Sequence, residues 1–168
     1  MNCESPRSTS CTGGCSWFTC RIGMTVIENS VEIARPIEEV FDFTSDMRNE
    51  LKWNPDVESM EKITEGPVGL GTRYQAKWHT SPPVTTECTH FERPSSFSFY
   101  NGGSIEVDLT ILLRPTAGGT MLRSRFDAKP HGFFRLIFPI FLIILRRQEK
   151  ANMANVKRFL ESAPPQSA

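Results

Sequence analysis

Apolar and polar residues alternate along most of the chain between residues 25 and 130. The clearest example is segment 105–113, in which all five odd-numbered residues are aliphatic. A period of two places every second side chain on the same face of a β-strand. Less regular versions of the pattern, separated by Gly- and Pro-rich turns, predict six further strands, in segments 25–34, 57–63, 72–80, 84–92, 97–99 and 121–128.

Two short helices are predicted between the first and second strands. The first begins at Pro36, which suits a first helical position because its missing N–H would have no partner there. Segment 37–41 then has the i, i+3, i+4 apolar spacing of a buried helical stripe. The second helix starts near Met47 and should end at Trp53-Asn54-Pro55, since the residue before a proline disfavours helix.

The chain closes with a long helical segment. A dense apolar run from Phe133 to Leu145 passes into a charged part that ends near residue 162. Pro139 lies inside the run and removes a backbone donor, which predicts a kink or a restart of the helix. The run is too short for a bilayer crossing, which needs roughly 20 apolar residues. We therefore expect it to be buried in the protein's own core.

This order of elements indicates the fold class. Strands that follow one another, with helices segregated at the ends, are typical of α+β domains with an antiparallel sheet. A long terminal helix needs a surface to pack on, and the concave face of a bent sheet offers one. The space between such a helix and sheet is suited to a small-molecule ligand.

Composition excludes some partners and cofactors. The 168 residues fit one domain, and 19 Lys and Arg balance 19 Asp and Glu. Zero net charge provides no electrostatic footprint for nucleic acid, so no nucleic-acid partner is expected. Four of the five cysteines lie in the first 20 residues with no standard zinc spacing. We therefore expect neither a metal nor a cofactor.

The cysteine-rich start also sets the expected domain boundaries. Residues 1–23, rich in Cys, Ser and Thr, are predicted to be a disordered leader, and they lack the apolar core of a secretory signal. The folded domain is expected at 24–162, with Met24 as an alternative start, and a disordered tail at 163–168. A single cysteine in the body of the chain favours a reducing, cytoplasmic location.

Four motifs, in order, resemble those of a known family. They are the A-x-P-x-E-x-V-F pattern of Ala34–Phe41, the W-x-P of Trp53–Pro55, the G-x-G-T of Gly69–Thr72 and the helix of Leu145–Leu160. The chain is similar in these to the polyketide cyclase/dehydrase and lipid-transport group of the START-like (Bet v 1-like, SRPBCC) superfamily. The resemblance implies a helix-grip fold, in which a curved antiparallel sheet of about seven strands wraps around the C-terminal helix and encloses a hydrophobic cavity.

The implied cavity selects candidate ligand-binding residues. The resemblance places Tyr74 and Trp78 on the inward face of their strand, where each adds a polar group to an apolar wall. The full set of predicted ligand-binding residues is Phe41, Trp53, Tyr74, Trp78, Phe99, Leu109, Ile111, Phe126, Phe138 and Leu142. We therefore predict an intracellular carrier or sensor of a hydrophobic or amphipathic small molecule, such as a lipid, isoprenoid or polyketide-like compound.

Two other functions stay open on the sequence alone. A cyclase or dehydratase acting on such a ligand would need an acid or base in the cavity, for which His90, Tyr74 and Glu87 are candidates; Cys88 and His90 are expected to share one strand face. A peripheral membrane protein would use the basic charge of the last helix, which holds six basic against two acidic residues between 135 and 161. Membrane contact is not required by the main hypothesis, and the sequence makes no prediction of oligomeric state.

Overall fold

The computed structural model of the protein describes residues 25–79 and 81–162. The predicted leader at 1–23 and tail at 163–168 lie outside these residues. Seven strands and two α-helices follow one another, with a 3₁₀ helix at Met47–Lys52. Their bounds are β1 (Thr25–Ile33), α1 (Ile37–Ser45), β2 (Val57–Lys62), β3 (Arg73–Trp78), β4 (Val84–Glu92), β5 (Ser96–Asn101), β6 (Ile105–Thr116), β7 (Gly119–Pro130) and α2 (Phe134–Ser162).

All seven strands form one antiparallel sheet in the order β1-β7-β6-β5-β4-β3-β2. Strands β2 to β7 are joined as successive hairpins. The first strand, β1, forms the edge of the sheet and pairs with β7 over its full length, from Thr25 opposite Ala128 to Ile33 opposite Thr120. The sheet curls into a half-barrel with α2 against it. The predicted α+β helix-grip fold, with seven strands and two short helices after the first strand, is confirmed.

The two short helices differ from their predictions only at their ends. Pro36 is the N-cap of α1, with an extended backbone, rather than its first helical residue. The side chain of Asp46 caps the 3₁₀ helix by accepting a hydrogen bond from the backbone N–H of Arg48 at 3.1 Å. That helix ends at Trp53, whose N–H donates to the carbonyl of Glu50.

Helix α2 is fastened to the end of β1 near its C-terminus. The ammonium of Lys157 donates to the carbonyl of Glu32 at 2.6 Å. The guanidinium of Arg35 donates to the carbonyl of Leu160 at 2.9 Å, and the N–H of Ala34 donates to the carboxylate of Glu161 at 2.9 Å. The helix remains a single 29-residue element through Pro139, without a restart.

The expected burial of Phe133–Leu145 is wrong. Within this part of the described chain Phe138 alone is buried, while Phe133, Leu136 and Ile140 are 70%, 77% and 70% exposed. The reason is geometric: a helix on one side of a sheet buries only one stripe of its surface. Because this run is apolar on all sides, the residues that point away from the sheet remain in contact with solvent.

The core lies between the inner face of the sheet, α1 and the C-terminal half of α2. Phe41 of α1 makes edge-to-face contacts with Phe91 and Phe97, at centroid distances of 5.1 and 5.4 Å. Phe159 of α2 stacks on Phe43 at 5.2 Å. A β-bulge after Val57 turns Met60 inward, so the alternation expected through Ser59, Glu61 and Ile63 does not hold in β2.

Candidate functional site

An apolar row crosses the inner face of the sheet. Hydrogen-bonded register places one residue from each of five adjacent strands side by side, in the order Cys88, Phe99, Leu109, Phe126 and Ile27. Cys88, Phe99 and Ile27 are buried, whereas Leu109 and Phe126 are only half-buried. The middle of the row is therefore less well covered than its ends.

A group of half-buried apolar residues on the inner face lies toward one end of the sheet. Beyond Leu109 and Phe126, toward the β6–β7 turn, Ile111, Leu113 and Leu122 are buried. In the opposite direction, toward the start of β6, Val107 is half-buried, as is Trp78 at the end of β3. We call this group's end of the sheet the open end of the inner face; toward the other end Val31 and Phe91 are half-buried among buried neighbours.

The apolar half of α2 stands at the open end. Helix α2 begins four residues after β7 stops at Pro130, so its first turns start where β7 finishes. Phe138 is buried here, with its ring centroid 6.2 Å from that of Phe141. Phe141, Leu142 and Leu145 are half-buried on the same side of the helix. Side chains from the sheet and from α2 therefore give the open end an apolar surface on both sides.

A polar pair lies next to the apolar row, on the side away from the open end. Asn29 and Ser124 are opposite each other on β1 and β7, one register step from the apolar row. Among the described residues, neither Asn29 Nδ2 nor Ser124 Oγ has a hydrogen-bond partner, and the same is true of Thr86 Oγ1 on β4. Ser124 and Thr86 are almost fully buried. A buried polar group without a partner is unfavourable, so these atoms are suited to a water or a polar ligand group.

Tyr74 forms part of the core behind the open end. Its ring meets that of Phe99 edge to face at 5.9 Å, and its hydroxyl lies 3.5 Å from Asp46 Oδ1. Burial, together with the charge of Asp46, raises the pKa of Tyr74 well above its usual value. Tyr74 therefore remains a neutral hydroxyl and has no tendency to act as a base near neutral pH.

The ten predicted ligand-binding residues fall into three groups. Trp78, Leu109 and Phe126 are half-buried on the sheet toward the open end, and on α2 Phe138 is buried and Leu142 half-buried, while Phe41, Tyr74, Phe99 and Ile111 are buried in the core. Trp53 lies apart from both groups. With Pro55 it borders a shallow surface groove of about 440 Å³ against Asn155, Arg158 and Phe159 of α2. Contact of any of these residues with a ligand stays a prediction.

Two of the three acid–base candidates point away from the interior. The expected shared face of Cys88 and His90 is wrong, because a bulge between them shifts the register and turns His90 outward. The His90 side chain is 49% exposed and hydrogen-bonds Ser96 Oγ at 2.8 Å. Glu87 faces the same outer surface, where it pairs with Arg73 at 2.8 Å.

A pair of carboxyl groups between the 3₁₀ helix and α2 was missed by the sequence analysis. Burial, with a further contribution from the charge of Glu149, raises the pKa of Glu50 to about 7. Burial, opposed by a hydrogen bond from Asn152, raises the pKa of Glu149 to about 7. Asn54 donates to Glu50 Oε2 at 3.3 Å. Glu149 is the sole acidic residue between 131 and 160, and this isolation was the available signal.

Metal-binding groups are not assembled in the part of the chain that the structure describes. Within residues 25–79 and 81–162, no three His, Cys, Asp or Glu side chains are close enough to hold a metal ion. Cys88 is a buried free thiol in the same residues. The chemistry available at the inner face is therefore apolar contact with a few neutral hydrogen-bonding groups.

These features define a helix-grip protein whose inner face is apolar and incompletely covered at one end. The family model described as polyketide cyclase / dehydrase and lipid transport matches residues 24–161. The chain belongs to this family, as its four motifs indicated. No curated protein matches the chain in sequence.

Solved structures share the fold at low sequence identity. The crystal structure of Ara h 8.0201 matches with a TM-score of 0.64 and 16% identity over 84% of this chain and 100% of that chain. TTHA0849 from Thermus thermophilus matches with a TM-score of 0.68 and 15% identity over 81% and 97%. The di-domain ARO/CYC StfQ from the steffimycin biosynthetic pathway matches with a TM-score of 0.66 and 13% identity, and this chain spans 51% of it.

The long helix does not have the composition of a membrane span. None of the helices in the described residues is both long enough and apolar enough to cross a bilayer. The apolar part of α2, from Phe134 to Leu145, is about 18 Å long at 1.5 Å per residue, against a hydrocarbon core of about 30 Å.

Proposed function

We propose that the protein binds an amphipathic small molecule with a large apolar part, such as a lipid, an isoprenoid or a polyketide-like compound, at the open end of its inner face. It acts as a carrier or sensor of that molecule. The family to which the chain belongs includes lipid transport in its description, which supports this class of ligand.

One observation carries the proposal. Leu109, Phe126 and Trp78 point to the inner face but are only half-buried, although residues farther along the same strands are fully buried. Covering such side chains with the apolar part of a ligand releases about 25 cal/mol for each Å² removed from water. The remaining cover from Phe138 and Leu142 of α2 would hold the ligand between helix and sheet.

The unpartnered polar atoms would orient the ligand. A hydroxyl or carbonyl oxygen on the ligand would accept from Asn29 Nδ2 and meet the hydroxyl of Ser124 on the neighbouring strand. A few placed polar groups in an apolar pocket commonly set ligand orientation. A pure hydrocarbon would leave these atoms unpaired, so the proposal favours ligands with an oxygen function.

The acid–base candidates for an enzyme differ from the three that the sequence predicts. His90 and Glu87 face outward, and Tyr74 remains neutral, so none of them supplies a base at the inner face. Glu50 and Glu149 have pKa values raised to about 7, which suits a general acid or base. Glu50 and Glu149 are therefore the acid–base candidates to test for a cyclase or dehydratase reaction.

Native mass spectrometry of the protein purified from its own host tests the proposal. We expect a co-purifying mass of a lipid-like compound. The variant Leu109→Trp fills the open end and should lower the ligand-bound fraction. Leu112→Trp is the matched control, because Leu112 lies three residues away on the outer face and is 43% exposed.

The proposal fails if the wild-type protein is consistently empty and also does not bind the apolar dye anilinonaphthalene sulfonate in titrations. It fails equally if the two tryptophan variants lower occupancy to the same extent. A ligand that is converted to a new mass by wild type but not by Glu149→Gln would favour the enzyme over the carrier.

A further inference from the structure

The turn before α2 and the first half of α2 expose a continuous apolar surface. Six large side chains on the side away from the sheet are each at least 42% exposed. Their spacing of three and four residues places them on one side of the helix for three turns. We call this surface the outer apolar face; it consists of Phe133, Leu136, Ile137, Ile140, Ile143 and Ile144.

Basic residues border this face. Arg146, Arg147 and Lys150 follow at its C-terminal end, whereas Arg135 lies on the helix side that also carries Leu142; all four are exposed. None of these four forms an ion pair with another residue in 25–79 or 81–162. The one carboxyl on this stretch of helix, Glu149, has a pKa raised to about 7, chiefly by burial, and is half-buried on the side toward the sheet.

The turn before α2 adds no free negative charge. Glu106 is positioned there, but it is paired with Lys129 at 3.3 Å and with His131 at 2.8 Å. The chain as a whole has no net charge, so the basic border of the outer apolar face is a local feature. Its charge complements a negatively charged surface.

We propose that the outer apolar face is a membrane-docking surface, on which α2 lies flat in the interface of a bilayer that contains anionic lipids. The six apolar side chains enter the boundary between headgroups and acyl chains, and Arg146, Arg147 and Lys150 contact lipid phosphates. An in-plane helix with an apolar side and basic borders binds in this way. The orientation is consistent with the length of the apolar part, which is too short to span.

Co-sedimentation of the full chain with vesicles tests the proposal. We expect binding to vesicles of equal parts phosphatidylcholine and phosphatidylserine, and weak binding to phosphatidylcholine alone. Added salt should weaken the binding, because it screens the attraction between the basic residues and the lipid. Neutralising Arg146 and Arg147 with Gln should lower affinity by about fivefold for each charge.

Variants of apolar residues distinguish binding through the outer apolar face from nonspecific hydrophobic adsorption to vesicles. The double variant Leu136→Ser/Ile140→Ser should lower affinity for the mixed vesicles by about tenfold or more. The matched control is Ile63→Ser/Leu70→Ser, which removes two exposed apolar side chains elsewhere and should bind as wild type does. All four residues are exposed, so both variants should keep the circular dichroism spectrum and melting temperature of wild type.

A tryptophan placed on the face gives a second readout. The emission of Ile140→Trp should shift to the blue on addition of mixed vesicles and be quenched by brominated acyl chains, whereas that of Leu70→Trp should not. The proposal is overturned if wild type does not bind mixed vesicles, if it binds both vesicle types equally, or if the control variant loses as much affinity. It is also overturned if light scattering shows a dimer that Leu136→Ser/Ile140→Ser converts to a monomer without any vesicle binding, since a second copy would then cover the face.

Discussion

The carboxyl pair makes the stability of the protein depend on pH. In the unfolded chain Glu50 and Glu149 should titrate near 4.5, whereas in the folded protein burial raises the pKa of each to about 7, with added repulsion of Glu50 by Glu149 and of Glu149 by Asp56. Between these values the folded state keeps protons that the unfolded chain has lost. Stability should therefore fall as the pH rises through this window, and the loss is complete above about pH 7.

The size of the effect follows from the pKa difference. One pKa unit corresponds to about 1.4 kcal/mol, so a rise from 4.5 to about 7 corresponds to about 3 kcal/mol for one carboxyl. Glutamine keeps the size of the side chain but cannot ionise. Glu149→Gln should consequently stabilise the protein by about 1–3 kcal/mol at about pH 8.5 and by less than about 1 kcal/mol at about pH 5, where only a small part of the loss has occurred because that pH is close to the unfolded value of 4.5.

Urea denaturation followed by circular dichroism at the two pH values measures this difference. Glu50→Gln should behave in the same way, and the double variant should gain less than the sum because the two charges repel each other. Glu61→Gln is the control, since Glu61 is exposed on β2, and its effect should stay within about 0.5 kcal/mol at both pH values. A stability change from Glu149→Gln that is the same at both pH values would refute the raised pKa.

Three further predictions test the fold. Leu122→Ala should cost about 2–5 kcal/mol in urea denaturation, because Leu122 is buried on the inner face, whereas Leu112→Ala on the outer face should cost less than about 1 kcal/mol. Gly119→Ala should cost about 2 kcal/mol or more in the same assay, since its backbone has a φ of +140° and a Cβ there would lie 2.2 Å from the carbonyl oxygen of Ile33. Gly118→Ala is the control and should be tolerated, because its Cβ would meet only the flexible end of Glu32. Burial raises the pKa of the Cys88 thiol to about 11, so peptide mapping after iodoacetamide treatment at about pH 8 should find Cys88 unmodified in the folded protein and modified in urea; rapid labelling of native Cys88 would contradict its burial.

The sequence predicts the fold well because local periodicity and order determine it. Alternation in β6 and β7 is long and regular, and the two strands pair from Ile105 opposite Pro130 to Thr116 opposite Gly119. Where a bulge adds one residue to a strand, the same reasoning fails for every later position in that strand. His90 was expected on the same face as Cys88 for this reason, and the alternation expected over residues 57–63 breaks at the bulge in β2 in the same way.

The candidate site is less predictable because it depends on which inner-face side chains are covered by residues distant in sequence, and hydrophobic periodicity does not determine this. Alternation assigns Leu109 and Ile111 to the same inner face, but only packing by distant residues makes one half-buried and the other buried. Polar interruptions were a usable signal. Asn29, Thr86 and Ser124 each occupy a position at which the alternation predicts an apolar residue, and each has an unpaired polar atom in the structure.

The exposed half of α2 connects the two proposals. Phe138 and Leu142 on one side of this half-helix border the open end, and Leu136 and Ile140 on the other side form part of the outer apolar face. A protein docked through that face would hold its open end next to the bilayer, so that an amphipathic ligand could move between membrane and protein without full exposure to water. The two functions can still be separated by experiment. Leu136→Ser/Ile140→Ser should lower vesicle affinity by about tenfold or more and leave the dye affinity measured without vesicles unchanged, whereas Leu109→Trp should weaken dye binding and leave vesicle binding intact. If either variant impaired both activities, the inner and outer sides of α2 would not act independently, and the link between docking and ligand transfer would have to be sought in movement of the helix itself.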